Sequence, residues 1–234
     1  MIKHIEKPVD FVTERYYGAT EILDIMRSGK RTDEMESSCL AALDSLLIAL
    51  DVHVAGAVPH ARRTGEYAAY LSRLMGLDEK EADVIKRCAV FHDIGKIGIP
   101  DSIFQKPGRL TPEEMEIMEK HTKIGYDLLR HFYFMREEAE TAYCHHERPD
   151  GKGYPRGLSG KDIPLYARIV LVADAFDAMR SDRVYRPALS LKATIREITE
   201  GAGTQFDSEV VKIFKNCYKE LDTLLNRTNA TALP

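Results

Sequence analysis

Five of the eight histidines in this 234-residue chain stand where they can share one centre. His92 is followed directly by Asp93, His121 comes 29 residues after His92, and His145 is adjacent to His146. His60 stands in PHARR, and Asp174 in VADAFDAM. Nitrogen and oxygen donors without thiolate suit iron, manganese, zinc or magnesium better than copper(I) or an iron–sulfur cluster. Seven such groups exceed what one tetrahedral zinc uses, whereas two metals sharing a bridging carboxylate would occupy them. A pair of ions about 3.5–4 Å apart suits displacement at phosphorus, because it activates water and neutralises developing charge. Taken singly, each piece has a plain structural alternative. An HD dipeptide arises by chance, a mid-helix histidine such as His121 packs in a core, and Cys144 beside the histidine pair reads as a buried thiol. His4, His53 and His131 lack such neighbours and read as surface or structural.

The elements that must position these groups read as helices. Leu40, Leu43, Leu47 and Leu50 fall at i, i+3, i+7 and i+10 of residues 33–50, an amphipathic spacing. A second helix is expected from Ala61 to Met75, with His60 at its mouth. Asp78 and Glu81 form a capping-box pattern for a third, which buries Val84, Ile85, Cys88 and Ala89 and ends in FHDIG with Gly95 as its C-terminal cap. Thr111, Pro112 and Glu114 open a fourth, with Ile117, Met118, His121, Ile124 and Leu128 on one face. Further helices are expected over Glu137–His146, from Pro164 to about Arg180, from Ser190 to Gly201, and from Asp207 to about Leu225. The β-rich run ARIVLVA (167–173) has no partner strand and reads as buried helix. The expected class is therefore all-α, with five helices offering imidazole or carboxylate groups to a bundle core.

Composition narrows the alternatives. A net charge of −4 argues against a general nucleic-acid binder, although a local basic cluster can still hold a small anion. No apolar run approaches the roughly 18 residues of a membrane span, and the N-terminus has no signal-peptide block. Four dispersed cysteines without a CxxC pair read as reduced thiols of a cytoplasmic protein.

HDIGKIGIPDSIFQKPGRLTPEEMEIMEKH, HHERPDGKGYPRGLSGKDIP, ARIVLVADAFDAMRSDRVYRPALS and GTQFD resemble, in order, the HD-GYP subgroup of HD-domain phosphohydrolases. The resemblance covers roughly residues 40–215. It implies an all-α HD bundle with a GYP loop and additional C-terminal helices, occupying residues 34–234; residues 1–33 do not match it and read as an N-terminal helical extension of undefined role. It implies a di- or trinuclear metal centre, usually of iron or manganese, that hydrolyses cyclic di-GMP to pGpG and often to GMP through a metal-bridging hydroxide. Carried over by position, His60, His92, Asp93, His121, His145, His146 and Asp174 are the metal ligands, with Asp93 as the bridge. Lys96 resembles the lysine that contacts the scissile phosphate, where growing charge calls for a cation. Arg183 and Arg186 resemble the pair that holds the substrate phosphates. Asp177, one turn after Asp174, is expected behind a ligand or against the GYP loop.

In that loop, Gly151 and Gly153 permit a tight turn, and Tyr154 and Pro155 stiffen it. It is expected to touch no metal and to shape the pocket, with Tyr154 near substrate, or to present a surface to a diguanylate cyclase domain. A homodimer is also compatible with the resemblance. Trinuclear members carry a glutamate four residues before the first histidine. Here that position is Gly56, so the site is expected to be dinuclear. Two other readings stand beside the enzyme: a cyclic-dinucleotide effector or cyclase scaffold with weak turnover, and a phosphodiesterase for another cyclic dinucleotide.

Overall fold

A computed structural model of the chain describes residues 32–104, 106, 108–182 and 187–231. The extension expected at 1–33 lies almost wholly outside these residues, as do Arg183 and Arg186. The chain divides into two compact units, Met1–Ser45 and Leu46–Pro234. In the first, the described residues are helical.

The described residues contain helices and no strand, as expected; isolated bridges join only Asp150 to Ser159 and Ala202 to Phe206. The α-helices are α1 (Thr32–His53), α2 (Ala57–Leu74), α3 (Glu79–Phe91), α4 (Asp101–Phe104), α5 (Pro112–Leu129), α6 (Arg136–Cys144), α7 (Leu165–Arg180), α8 (Leu191–Glu200) and α9 (Ser208–Thr231). A 3-10 turn, Ile94–Gly98, follows α3, and another, Gly160–Asp162, precedes α7. None of the described helices is long and apolar enough to cross a membrane.

The helix starts follow local chemistry. Asp78 Oδ1 accepts from Glu81 N at 2.9 Å, and Glu81 Oε2 accepts from Asp78 N at 3.1 Å, closing the expected capping box of α3. Thr111 and Glu114 do the same for α5, with Pro112 where a missing N–H costs nothing. Ser190 caps α8 through Ala193 N, and Asp207 caps α9 through Glu209 N and Val210 N.

Three expectations are corrected. α2 begins at Ala57 rather than Ala61, so His60 lies within its first turn. Pro59 is the third residue of that turn, where an N–H has no intrahelical acceptor, and it therefore does not block the start. Gly95 does not cap α3; that helix ends at Phe91, and Gly95 sits in the 3-10 turn pressed against α5. A β-carbon there would overlap the carbonyl oxygen of His121 and the amide nitrogen of Gly125. The buried face of α5 is also turned, to His121, Thr122, Gly125 and Leu129, leaving Ile124 and Leu128 half-buried.

The core of the second unit joins Tyr67 and Leu71 of α2, Ile85 and Cys88 of α3, Ile169–Phe176 of α7, Ile198 of α8 and Val210, Phe214 and Leu221 of α9. Phe176 packs edge-on against Tyr67 (5.3 Å between centroids) and Phe214 (5.6 Å). ARIVLVA lies wholly buried within α7, so its apolar run needs no partner strand. This core fixes α2, α3 and α7, which position four of the seven candidate ligands: His60, His92, Asp93 and Asp174.

Candidate metal centre

Five elements converge on Asp93. Ligand atoms of Asp93, His121, His145 and His146 lie within 4.8 Å of one another, and those of His60, His92 and Asp93 form a second such group. Asp93 belongs to both. Asp174 joins the second group through Oδ1, 3.2 Å from His60 Nε2 and 4.0 Å from His92 Nε2.

Backbone carbonyls aim the imidazoles. Nδ1–H of His92 donates to Ala89 O at 2.6 Å, that of His121 to Met118 O at 2.7 Å, and that of His145 to Ala142 O at 2.9 Å. Ala89 and Ala142 lie in last helical turns, whose carbonyls lack intrahelical partners. A carbonyl only accepts, so this network assigns the Nδ1–H tautomer and leaves each Nε2 with a lone pair. All three Nε2 atoms face Asp93, at 3.3 Å from Oδ2 (His92) and at 3.4 and 3.7 Å from Oδ1 (His121 and His145).

The donor set fits a cation. His92 Nε2 and Asp93 Oδ1 are buried without a hydrogen-bond partner among the described residues. Nε2 of His121 lies 3.3 Å from Nε2 of His145, and two lone pairs at that distance cannot bond to each other. Cations bound in the two groups, one in each, would satisfy all four atoms. Burial, the largest cause, lowers the His121 imidazole to about 4 and lowers those of His145 and His146 as well, which favours the neutral, ligating form. Burial alone would raise the Asp93 carboxyl, but the charge of Lys96 beside it holds it well below the usual range.

His60 is held differently. Its Nδ1–H donates to Asp177 Oδ2 at 2.7 Å, and Nε2 faces Asp174. Burial would lower this imidazole, yet the bonds and charges of the two carboxylates raise it to about 9. Asp177 thus stands behind His60 and not against the GYP loop. Arg63 holds it from the other side through Nε (2.7 Å) and Nη2 (2.9 Å).

Lys96, in the 3-10 turn, ion-pairs with Asp93 Oδ2. Tyr154 stacks on His146, with ring centroids 4.7 Å apart and planes 28° apart. Gly153 lies against the backbone of 146–148, where a β-carbon would overlap Arg148 N, and Pro155 is exposed. Gly56 precedes α2 with no side chain; Val58 N donates instead to Asp51 Oδ1 at 2.9 Å. Cys144 is buried beside the pair. Sequence reasoning did not single out Arg63 or Glu147. Arg63 sits one turn after His60 and Glu147 directly follows the histidine pair, but their partners are set only by the tertiary fold.

An all-α bundle with a histidine–aspartate cluster able to bind metal defines the class of this molecule. The HD domain family model matches residues 46–210, and the chain belongs to this family, in its HD-GYP subgroup. Among curated relatives, it is 45% identical over 170 residues to a cyclic di-GMP phosphodiesterase of Thermotoga maritima, covering 72% of this chain and 46% of that protein. It is 39% identical over 163 residues to a 3′3′-cGAMP-specific phosphodiesterase of Vibrio cholerae, covering 69% of this chain and 31% of that protein. The chain thus spans about half the length, or less, of these relatives. An HDG"Y"P protein from Bdellovibrio bacteriovorus shares the fold, with a TM-score of 0.59 at 19% identity over 70% of this chain and 52% of that one.

Proposed function

We propose that this domain is a metal-dependent phosphodiesterase that opens cyclic di-GMP to pGpG. The observation that carries this reading is one carboxylate, Asp93, shared by two groups of ligand atoms. His60, His92, Asp93 and Asp174 would hold one divalent ion, and Asp93, His121, His145 and His146 the other. Iron or manganese suits this nitrogen and oxygen set. Bound there, such ions supply Lewis acidity and lower the pKa of water.

The chain's own groups complete the site. His92, His121 and His145 are almost wholly buried, so the polar groups around a scissile phosphate act in a medium of low dielectric. Lys96 ion-pairs with Oδ2 of Asp93, beside the shared carboxylate, where charge growing on phosphoryl oxygens would meet it. Arg183 and Arg186 would hold the phosphates through their planar forks. The name of the Thermotoga maritima relative supports cyclic di-GMP as substrate. The Vibrio cholerae relative favours a second reading, the same chemistry on 3′3′-cGAMP.

The test is hydrolysis of cyclic di-GMP, 3′3′-cGAMP and cyclic di-AMP by protein loaded with Fe(II) or Mn(II), with products separated by chromatography. Cyclic di-GMP is expected to turn over fastest. A higher kcat/KM for 3′3′-cGAMP would move the assignment to the second reading. No turnover of any of the three by protein with a full metal complement would overturn the enzyme in favour of an effector.

A further inference from the structure

Four of the five clustered histidines are oriented by a hydrogen bond through the ring nitrogen that faces away from the centre. For His92, His121 and His145 the acceptor is a backbone carbonyl, and for His60 it is Asp177. His146 has no such bond among the described residues. Its orientation comes from ring contacts: His145 at 4.1 Å, His121 at 5.1 Å, and the Tyr154 ring stacked on it at 4.7 Å. The two histidines are members of the same centre, so the stacked tyrosine is the support that comes from outside it.

Tyr154 belongs to a loop whose near side is tied by Asp150 Oδ1 accepting from Lys152 N at 3.1 Å, and whose segment just beyond the tyrosine is fastened by a buried carboxylate. Glu147 is 1% exposed and accepts two backbone bonds, from Arg156 N at 2.7 Å and from Leu158 N at 2.8 Å. These bonds close the loop immediately after Tyr154 and Pro155. The return side is joined by Tyr154 N donating to His146 O at 3.3 Å and by the close approach of Gly153 to the 146–148 backbone. A buried carboxylate with two good bonds is costly to leave half-satisfied, so the loop is held in one position.

We propose that Glu147 is a positioning residue that acts through Tyr154: it locks the loop so that the tyrosine ring supplies to His146 the orientation its neighbours obtain from hydrogen bonds. The pair then controls ion retention by the Asp93, His121, His145 and His146 group and leaves the His60, His92 and Asp93 group alone. This rests on the two-ion reading above.

Mn(II) titration of the full chain, followed by electron paramagnetic resonance and by chelator competition, tests it. The wild type is expected to show two classes of site, and His146→Ala to lose one of them. Tyr154→Leu and Glu147→Gln should weaken that same class about 10–100-fold, the usual effect of removing a group that orients a ligand, while the other class is unchanged. Tyr154→Phe, which keeps the ring, should retain wild-type affinity for both. Two classes in the wild type with both unchanged in Tyr154→Leu would overturn the positioning role alone. A single class in the wild type, or its survival in His146→Ala, would overturn the two-ion reading and the inference with it. Should Glu147→Gln unfold, Tyr154→Leu and Tyr154→Phe, which alter only a half-buried side chain, decide the question.

Discussion

The guanidinium of Arg63 spans both oxygens of Asp177, with Nε 2.7 Å from Oδ1 and Nη2 2.9 Å from Oδ2, and the same Oδ2 accepts from His60 Nδ1 at 2.7 Å. A candidate ligand on α2 is thereby tied to a carboxylate on α7 across 117 residues of sequence. Asp177 is fully buried, so its charge is tolerated because the Arg63 guanidinium, the His60 ring and the Ser181 hydroxyl meet it.

Removing either partner of this pair has a separate consequence. Asp177→Asn cannot accept from both His60 and Arg63 in the same way, and it is expected to weaken ion binding at the His60 group about 10–100-fold. Arg63→Ala leaves a buried carboxylate short of a partner and should destabilise the fold by roughly 3–5 kcal/mol. Chelator competition checks the first outcome, and urea unfolding the second.

Two glycines of one 3-10 turn should respond very differently to alanine. At Gly95 the added methyl meets backbone atoms of His121 and Gly125, which cannot move without shifting α5. At Gly98 it meets the Ile124 Cδ1 at 2.9 Å, the far end of a flexible side chain. Gly95→Ala is expected to cost more than about 3 kcal/mol and Gly98→Ala about 1 kcal/mol, the range from severe to mild overpacking. Urea midpoints of the two variants check the ordering.

What the sequence revealed divides along the same line between local and tertiary causes. The capping boxes at Asp78 and Thr111 were legible because both partners lie within four residues. Candidate ligands were legible because HD and HH concentrate chemistry, and Asp177 because it lies one turn from Asp174. The start of α2 lies four residues before the expected Ala61, and Pro59 permits this because a proline in the first turn loses no bond. Gly95 reads equally as a cap or as a close contact until the opposing helix is known. Arg63 and Glu147 act on a carboxylate more than a hundred residues away and on two loop amides, and no spacing rule announces either.

Arg168 and Asp207 form the buried link between α7 and the start of α9, at 2.7 Å with both side chains about a tenth exposed. Asp207→Asn preserves a capping side chain and removes the charge, and is expected to cost roughly 1.5–3 kcal/mol at neutral pH. Burial opposes ionisation of Asp207, but bonds from Arg168, Val210 N and Glu209 N hold its carboxyl below the ordinary value. A lowered folded-state pKa gives stability that is present above the unfolded value of about 3.9 and is lost as pH falls through the folded value. The gap between wild type and Asp207→Asn should therefore be full at pH 7 and close in acid. Denaturant unfolding over pH 2–7 measures it.

Lys96 is the last group whose role a single substitution separates. Its ammonium pairs with Asp93 Oδ2, the oxygen that His92 Nε2 also faces, while Oδ1 faces His121 and His145, so it lies directly beside the shared carboxylate. It is only 23% exposed, and water competes weakly with an incoming phosphate for it. Lys96→Ala is expected to reduce kcat by roughly 10²–10³-fold, the scale for removing one donor aimed at developing charge. Metal content should remain that of the wild type, because every candidate ligand is still in place. Metal analysis and steady-state kinetics on the same sample separate the two effects. Unchanged turnover at full metal content would remove Lys96 from the reaction, and loss of metal in parallel with turnover would recast it as a support for Asp93.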